Sequence, residues 1–315
     1  MSSLIEQAAL RLEQLRQAGV SVADDVGAPA RGVKPGPDMP ESGQVAQPPA
    51  ALREPAPQSK RVELDLDALA AQGLLTPKAP RSQIADQYRV IKRPLIKNAM
   101  GKGAATPNHA NLIMVTSALA GEGKSFTSLN LAMSMVAEMD TTVMLVDADV
   151  ARPSVLRMLG LPQGPGLLDV LEDQVDMASV LLRTNVDKLT ILPSGTPHPR
   201  ATELLASDAM SNLLDDMAKR YPDRIIIFDS PPLLLTTESR VLASHMGQIV
   251  VVVHADKTPQ SAVHQAISTI ESCPVKLLLL NQARANSAGG YGYGYGYGYG
   301  YGYGYGYADE ASQKG

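Results

Sequence analysis

The sequence predicts a doubly wound α/β fold built on a mainly parallel sheet, and three observations carry that expectation. Six apolar runs, "NLIMVTS", "TTVMLVD", "KLTILPS", "DRIIIFD", "QIVVVVHA" and "VKLLLLNQ", are continuous rather than alternating. Strands covered by helices on both faces read this way. The segments between them, such as 124–139, 206–221 and 259–270, have the length of crossover helices. Finally, the first run opens into a glycine-rich turn and then a helical pattern, which places a ligand at the carboxyl ends of the strands.

Composition narrows the setting. The chain has 315 residues and a formal net charge of −4, so no general basic character argues for nucleic acid. A single cysteine, Cys273, excludes an internal disulfide framework and a Cys-rich metal site. The five histidines are scattered without metal-ligand spacing. The apolar runs fall short of the ~20 residues that cross a bilayer, and Glu6 and Glu13 interrupt what a signal peptide would need as an apolar core. The expectation is a cytosolic protein whose association with any membrane is made through a partner.

In chain order, residues 1–19 place Ile5, Ala8, Leu12 and Leu15 at helical spacing, predicting an amphipathic helix. Residues 20–60 are rich in Pro, Ala, Gly and Gln, a composition that cannot bury enough apolar surface to offset ordering and predicts a disordered linker. "RVELDLDALAAQGLLTP" recovers a short amphipathic pattern before the α/β region, taken as 61–284. Residues 285–315 form a tail in which glycine alternates with Tyr291, Tyr293, Tyr295, Tyr297, Tyr299, Tyr301, Tyr303, Tyr305 and Tyr307. The whole chain has only eleven tyrosines, so packing is a poor reason for nine of them to be here.

Three motifs carry chemistry. "LIMVTSALAGEGKSFTSLNLA" is strand, loop and helix, with Ala118-x4-Gly123-Lys124-Ser125 at the turn. Gly121 and Gly123 let backbone N–H groups turn inward around phosphates, with Glu122 and Phe126 in the same loop. Lys124 reaches the β- and γ-phosphates and the Ser125 hydroxyl takes Mg²⁺. Thr127 is read as a helix-packing residue. "VMLVDADVARP" ends a strand with Asp147 and Asp149, and "RIIIFDSPP" closes another with Asp229, three carboxylates on neighbouring strands of one sheet. Tyr88 and Tyr221 are expected to pack rather than react.

These motifs, in this order, resemble the bacterial tyrosine kinases of exopolysaccharide systems, over about residues 81–281 plus the tail. The resemblance implies an ATP- and Mg²⁺-dependent protein-tyrosine autokinase whose tail is its substrate. It implies that Lys124 and Ser125 hold phosphates and metal, that Asp149 and Asp229 complete the metal's surroundings, and that Asp147 accepts or orients the tyrosine proton. It nominates Asn281, at the end of "LLLLNQ", for adenine. "ADQYRVIK" is similar to the family's ring-forming helix, with Asp86, Arg89 and Lys92 as the interface charges of a homo-oligomer. The front of the chain resembles stand-alone kinases, which implies a transmembrane polysaccharide co-polymerase as activating partner and a cognate tyrosine phosphatase. Two places depart from the family. Ala151 stands where an arginine is usual, with Arg152 next to it, and Leu119 and Ala120 stand where partitioning ATPases carry a signature lysine. The rival readings are a partitioning-type ATPase, for which nine exposed tyrosines have no use, and a tail acting as an aromatic self-association module.

Overall fold

The computed structural model describes residues 59–77, 81–103, 107–220 and 223–283, all within the unit Glu54–Gly315. The N-terminal helix, most of the linker, Tyr221 and the tyrosine tail lie outside the described residues.

Among the described residues, eight strands form one sheet: β1 (Lys60–Val62), β2 (Leu112–Ser117), β3 (Thr142–Asp147), β4 (Leu182–Thr184), β5 (Leu189–Leu192), β6 (Arg224–Asp229), β7 (Gln248–His254) and β8 (Val275–Asn281). Their order is β1-β4-β5-β3-β6-β2-β7-β8. Every neighbouring pair is parallel except β4–β5, which is antiparallel. The six apolar runs each became a strand and together make the parallel body. The short β1 and β4 carry no apolar run, which is why the sequence did not announce them.

Continuous apolar runs are explained by two cores. Leu112, Met114, Met144, Val146, Ile226 and Phe228 pack on one face of the sheet, while Ile113, Val115, Val143, Leu145, Ile225 and Ile227 pack on the other. Side chains alternate across a strand, so a strand with two covered faces needs apolar residues at every position. One core meets the helices Asp208–Arg220 and Glu238–Ser244, and the other meets Gln83–Ala99 and Lys124–Met135.

β8 breaks the pattern. Its exposure alternates along its length, leaving Leu278 and Leu280 60% and 64% exposed on one face. Among the described strands it lies at the sheet edge and pairs with β7 alone. Among the described residues no helix is long and apolar enough to cross a membrane.

The helix Gln83–Ala99 starts at Ser82, whose Oγ accepts from the Ala85 amide at 3.3 Å. Tyr88, Lys92 and Leu95 form its buried face, so Tyr88 is packed as expected. Asp86 and Arg89 pair at 2.5 Å on the exposed side, beside Val90, which is 70% exposed. Lys92 requires a correction, because it does not share that exposed face. It is buried, and its Nζ donates at 2.6 Å both to Glu138 Oε1 and to the Ser134 carbonyl at the end of the helix Lys124–Met135. Steps of three residues fall about 60° short of a full turn. A stripe that begins outward at Asp86 has therefore rotated inward by Lys92.

Candidate active site

Strand register assembles the site. Val115 on β2 and Asp147 on β3 are both Cα partners of Asp229 on the intervening β6. The loops leaving these three strands therefore open at one place on the carboxyl edge, as doubly wound sheets require of a ligand site.

The loop after β2 turns through Gly121 (φ 81°) and Gly123 (φ 90°) before the helix Lys124–Met135 begins. At Gly123 the left-handed backbone disfavours a side chain, and a Cβ would also displace the Asn281 side-chain amide. Asn281 Nδ2 donates to the Glu122 carbonyl at 2.9 Å, tying the end of β8 to this loop. The Glu122 side chain is turned into the protein. Its Oε2 accepts from the Leu119 amide at 2.6 Å and its Oε1 accepts from the Thr258 hydroxyl. Its carboxylate thus braces the loop from behind, leaving phosphate contact to the loop's backbone amides. Thr127 is buried in the helix, as its packing role requires.

Lys124 Nζ lies 2.6 Å from Asp149 Oδ2 and 3.5 Å from Ser125 Oγ. Asp229 is fully buried and accepts from Ser128 Oγ at 3.0 Å and from Ser154 Oγ at 3.5 Å. Ser154 Oγ also lies 2.8 Å from Ser125 Oγ. Burial raises the pKa of Asp229, opposed by Lys124 and by hydroxyl donors. Asp147 Oδ2 accepts from the amides of Ser154 and Val155 at 3.0 and 2.9 Å. Among the described residues, its buried Oδ1 has no hydrogen-bond partner. Burial first, and the nearby Asp229 charge second, raise its pKa to about 7.

A cavity of about 710 Å³ opens over this cluster. Gly121, Gly123, Lys124, Ser125 and Phe126 line it from the loop and helix, Asp149, Arg152, Ser154 and Arg157 from the segment after β3, and Pro231, Pro232 and Leu235 from the segment after β6. Asp147 and Asp229 sit beneath it rather than on its wall, so Asp149 is the carboxylate an incoming group meets. The two aspartates of "DAD" are separated by the end of the strand at Asp147. Asp147 keeps the strand's inward geometry and Asp149 begins the turn. Ser128, Ser154 and Arg157 belong to this site although no motif named them. Ser128 follows Lys124 by one helical turn, its Oγ 3.0 Å from the Lys124 carbonyl, and that spacing was the available signal.

The donor set is hard and all oxygen, with a hydroxyl at Ser125, carboxylates at Asp149 and Asp229, and the unpartnered Oδ1 of Asp147 beneath. It fits Mg²⁺, which keeps several waters and shares phosphate oxygens instead of needing a full protein cage. In keeping with that, no group of three or more His, Cys, Asp or Glu among the described residues is arranged to hold a metal by itself.

Comparison with known proteins agrees with this geometry. A protein-family model described as ParA: NUBPL iron-transfer P-loop NTPase matches residues 108–280, a family whose members bind nucleotide. The chain is 32% identical over 199 residues to tyrosine-protein kinase YwqD of Bacillus subtilis (strain 168), covering 63% of this chain and 80% of that one. It is 34% identical over 181 residues to tyrosine-protein kinase ptk of Acinetobacter johnsonii, covering 57% of this chain and 24% of that longer one. The crystal structure of the VpsO kinase domain superposes with a TM-score of 0.54 at 25% identity, over 64% of this chain and 96% of that domain. The chain belongs to the bacterial tyrosine-protein kinase family, within the P-loop NTPases.

Proposed function

We propose that this chain transfers the γ-phosphate of ATP to the tyrosines of its own C-terminal cluster, Tyr291 to Tyr307, in trans between subunits of a ring-like homo-oligomer. The observation that carries the reading is the cavity in which a P-loop lysine and serine share walls with an acidic turn and an apolar segment. Phosphate chemistry and an aromatic acceptor are thereby accommodated side by side.

Before nucleotide enters, Lys124 is neutralised by Asp149. Binding draws the Lys124 ammonium onto the β- and γ-phosphates and frees the Asp149 carboxylate for the metal. Ser125, Asp149 and Asp229 would hold Mg²⁺, which, when bound with the nucleotide, neutralises charge on the transferring phosphoryl group. Asp147 accepts or orients the phenolic proton, while Asp149 stays with the metal. Asp149 lines the cavity, while Asp147, titrating near neutrality, is the one matched to holding a proton at working pH. Asn281, tied to the P-loop backbone at Glu122, marks the side of the loop on which we place the adenine.

Each phosphotyrosine carries about −1.5 to −2 charges, so full modification adds roughly −14 to −18 to the chain. With Asp86 and Arg89 at subunit contacts, that charge loosens the ring by repulsion. A Gly-rich arm of ~25 residues spans about 25–30 Å, enough to reach a neighbour. The proposed setting is exopolysaccharide polymerisation and export. There the chain works on the cytoplasmic side of the membrane, with a transmembrane co-polymerase as activator and a tyrosine phosphatase as its reverse.

The family model's breadth favours one rival, a partitioning-type ATPase that hydrolyses ATP without a tyrosine acceptor. Incubating the full chain with Mg-ATP, followed by intact-mass and tail-peptide analysis beside Lys124→Met, separates them. Stepwise phosphate additions on the tail, absent in the variant, support the kinase. ATP consumed over an unmodified tail supports the rival.

A further inference from the structure

The arginines on the cavity wall are not used by the chemistry above. Arg152 and Arg157 are both exposed, and among the described residues neither guanidinium makes a hydrogen bond or ion pair. The backbone that carries them is nonetheless fixed. Asp149 Oδ1 accepts from the Arg152 amide at 3.1 Å, Asp147 Oδ2 holds the amides of Ser154 and Val155, and Val155 and Leu156 are buried. Two free cationic forks are thus anchored, through their own main chain, to the carboxylates of the reaction site. Met158, Pro231, Pro232 and the 58% exposed Leu235 line the same cavity. The combination suits an aromatic ring bearing a negative charge.

The tail sequence supplies such a group only in certain places. From Gly289 to Ala308 it contains nothing but glycine, tyrosine and a final alanine, so an unmodified repeat offers the arginines no anion. The exception is its end, "GYADE", where Asp309 stands two residues after Tyr307. Every other tail tyrosine has a tyrosine in that position. In an extended segment residues two apart project from the same side, roughly 6.5–7 Å apart.

Resting on the kinase reading, we infer that Arg152 and Arg157 bind the anionic side chain two residues C-terminal to the accepting tyrosine. That anion is the Asp309 carboxylate in the first round and the phosphotyrosine just made in each later round, so phosphorylation starts at Tyr307 and runs toward Tyr291. Each round forms a bond between the phenolic oxygen and the γ-phosphorus and breaks the bond from that phosphorus to the β–γ bridging oxygen. ADP leaves, and the phenolic proton passes to a carboxylate of the site. The planar guanidinium fork matches both carboxylate and phosphate, which lets one subsite read both.

The test compares two peptides, Gly-Tyr-Gly-Tyr-Gly and Gly-Tyr-Gly-phosphoTyr-Gly, as substrates of the full-length chain with Mg-ATP, together with time-resolved mapping of the chain's own tail. The primed peptide is expected to have about a tenfold or greater advantage in kcat/KM. Arg157→Ala and Arg152→Ala bring that ratio toward one while the Kd for a fluorescent ATP analogue holds. Tyr307 gains phosphate first, and Asp309→Asn delays it. An equal ratio for the two peptides, a ratio unmoved by both arginine variants, or phosphates appearing in no order would overturn the inference and leave the kinase reading standing. So would loss of nucleotide affinity at an unchanged ratio, which would assign the arginines to ATP. Absence of phosphate from every tyrosine would overturn both.

Discussion

β6 and β8 are written almost alike, "RIIIFD" and "VKLLLLN", yet they do opposite things. β6 lies between β2 and β3, is buried from Ile225 onward and delivers Asp229 to the floor of the site. β8 lies at the edge, exposes every second residue and delivers Asn281 to the back of the P-loop. An apolar run records that a strand prefers burial; whether both faces are covered is decided by its neighbours. The centre of this sheet therefore holds chemistry and stability together, while its rim tolerates exposure and serves contact.

The contrast yields a graded set of expectations. Lys124→Met, at the focus of the centre, lowers phosphoryl transfer by at least about a hundredfold, read as phosphate incorporated per unit time. Phe228→Ala, beneath that focus on β6, costs about 3–5 kcal/mol in urea unfolding. Leu280→Ala on the open face of β8 changes stability by less than about 0.5 kcal/mol. Equal losses at the two positions would erase the distinction between centre and rim.

Asp147 sharpens it through pH. Its carboxyl has a folded pKa of about 7 against an ordinary 3.8, so the native state holds a proton that the unfolded chain has released. Stability from this group is fully present below the ordinary value and falls as pH climbs to about 7, by up to about 1.4 kcal/mol per unit. The raised Asp229 adds in the same direction. Asp147→Asn, measured without nucleotide, flattens that decline. The smallest effect belongs to Arg89→Ala on the outer helix, where an exposed i,i+3 pair is worth under about 0.5 kcal/mol.

The parallel body of the sheet was legible because strands with two covered faces leave unbroken apolar runs, and the P-loop was legible because its glycines sit between a strand and a helix. Residues whose roles depend on rotation or on the end of an element were less so. Lys92 keeps the spacing of Asp86 and Arg89, but helical drift turns it inward to the Ser134 carbonyl. Asp147 and Asp149 look equivalent in "DAD", yet the strand stops between them and only Asp149 reaches the cavity wall. Glu122 lies in the heart of the P-loop, and its side chain nonetheless faces Leu119 and Thr258 rather than phosphate. Ser154 and Arg157 belong to no motif. Their place follows from Asp147 pinning the turn that carries them, a tertiary contact that pattern cannot announce.

The most direct test of the account mixes two full-length chains in Mg-ATP. One carries Lys124→Met and an intact tail; the other is active but has all nine tail tyrosines changed to phenylalanine. The account predicts stepwise phosphate on the tail of the Lys124→Met chain, delivered by the other chain's cavity. ATP hydrolysed with no phosphate on that tail, under conditions where the unaltered chain behaves the same way, would contradict it.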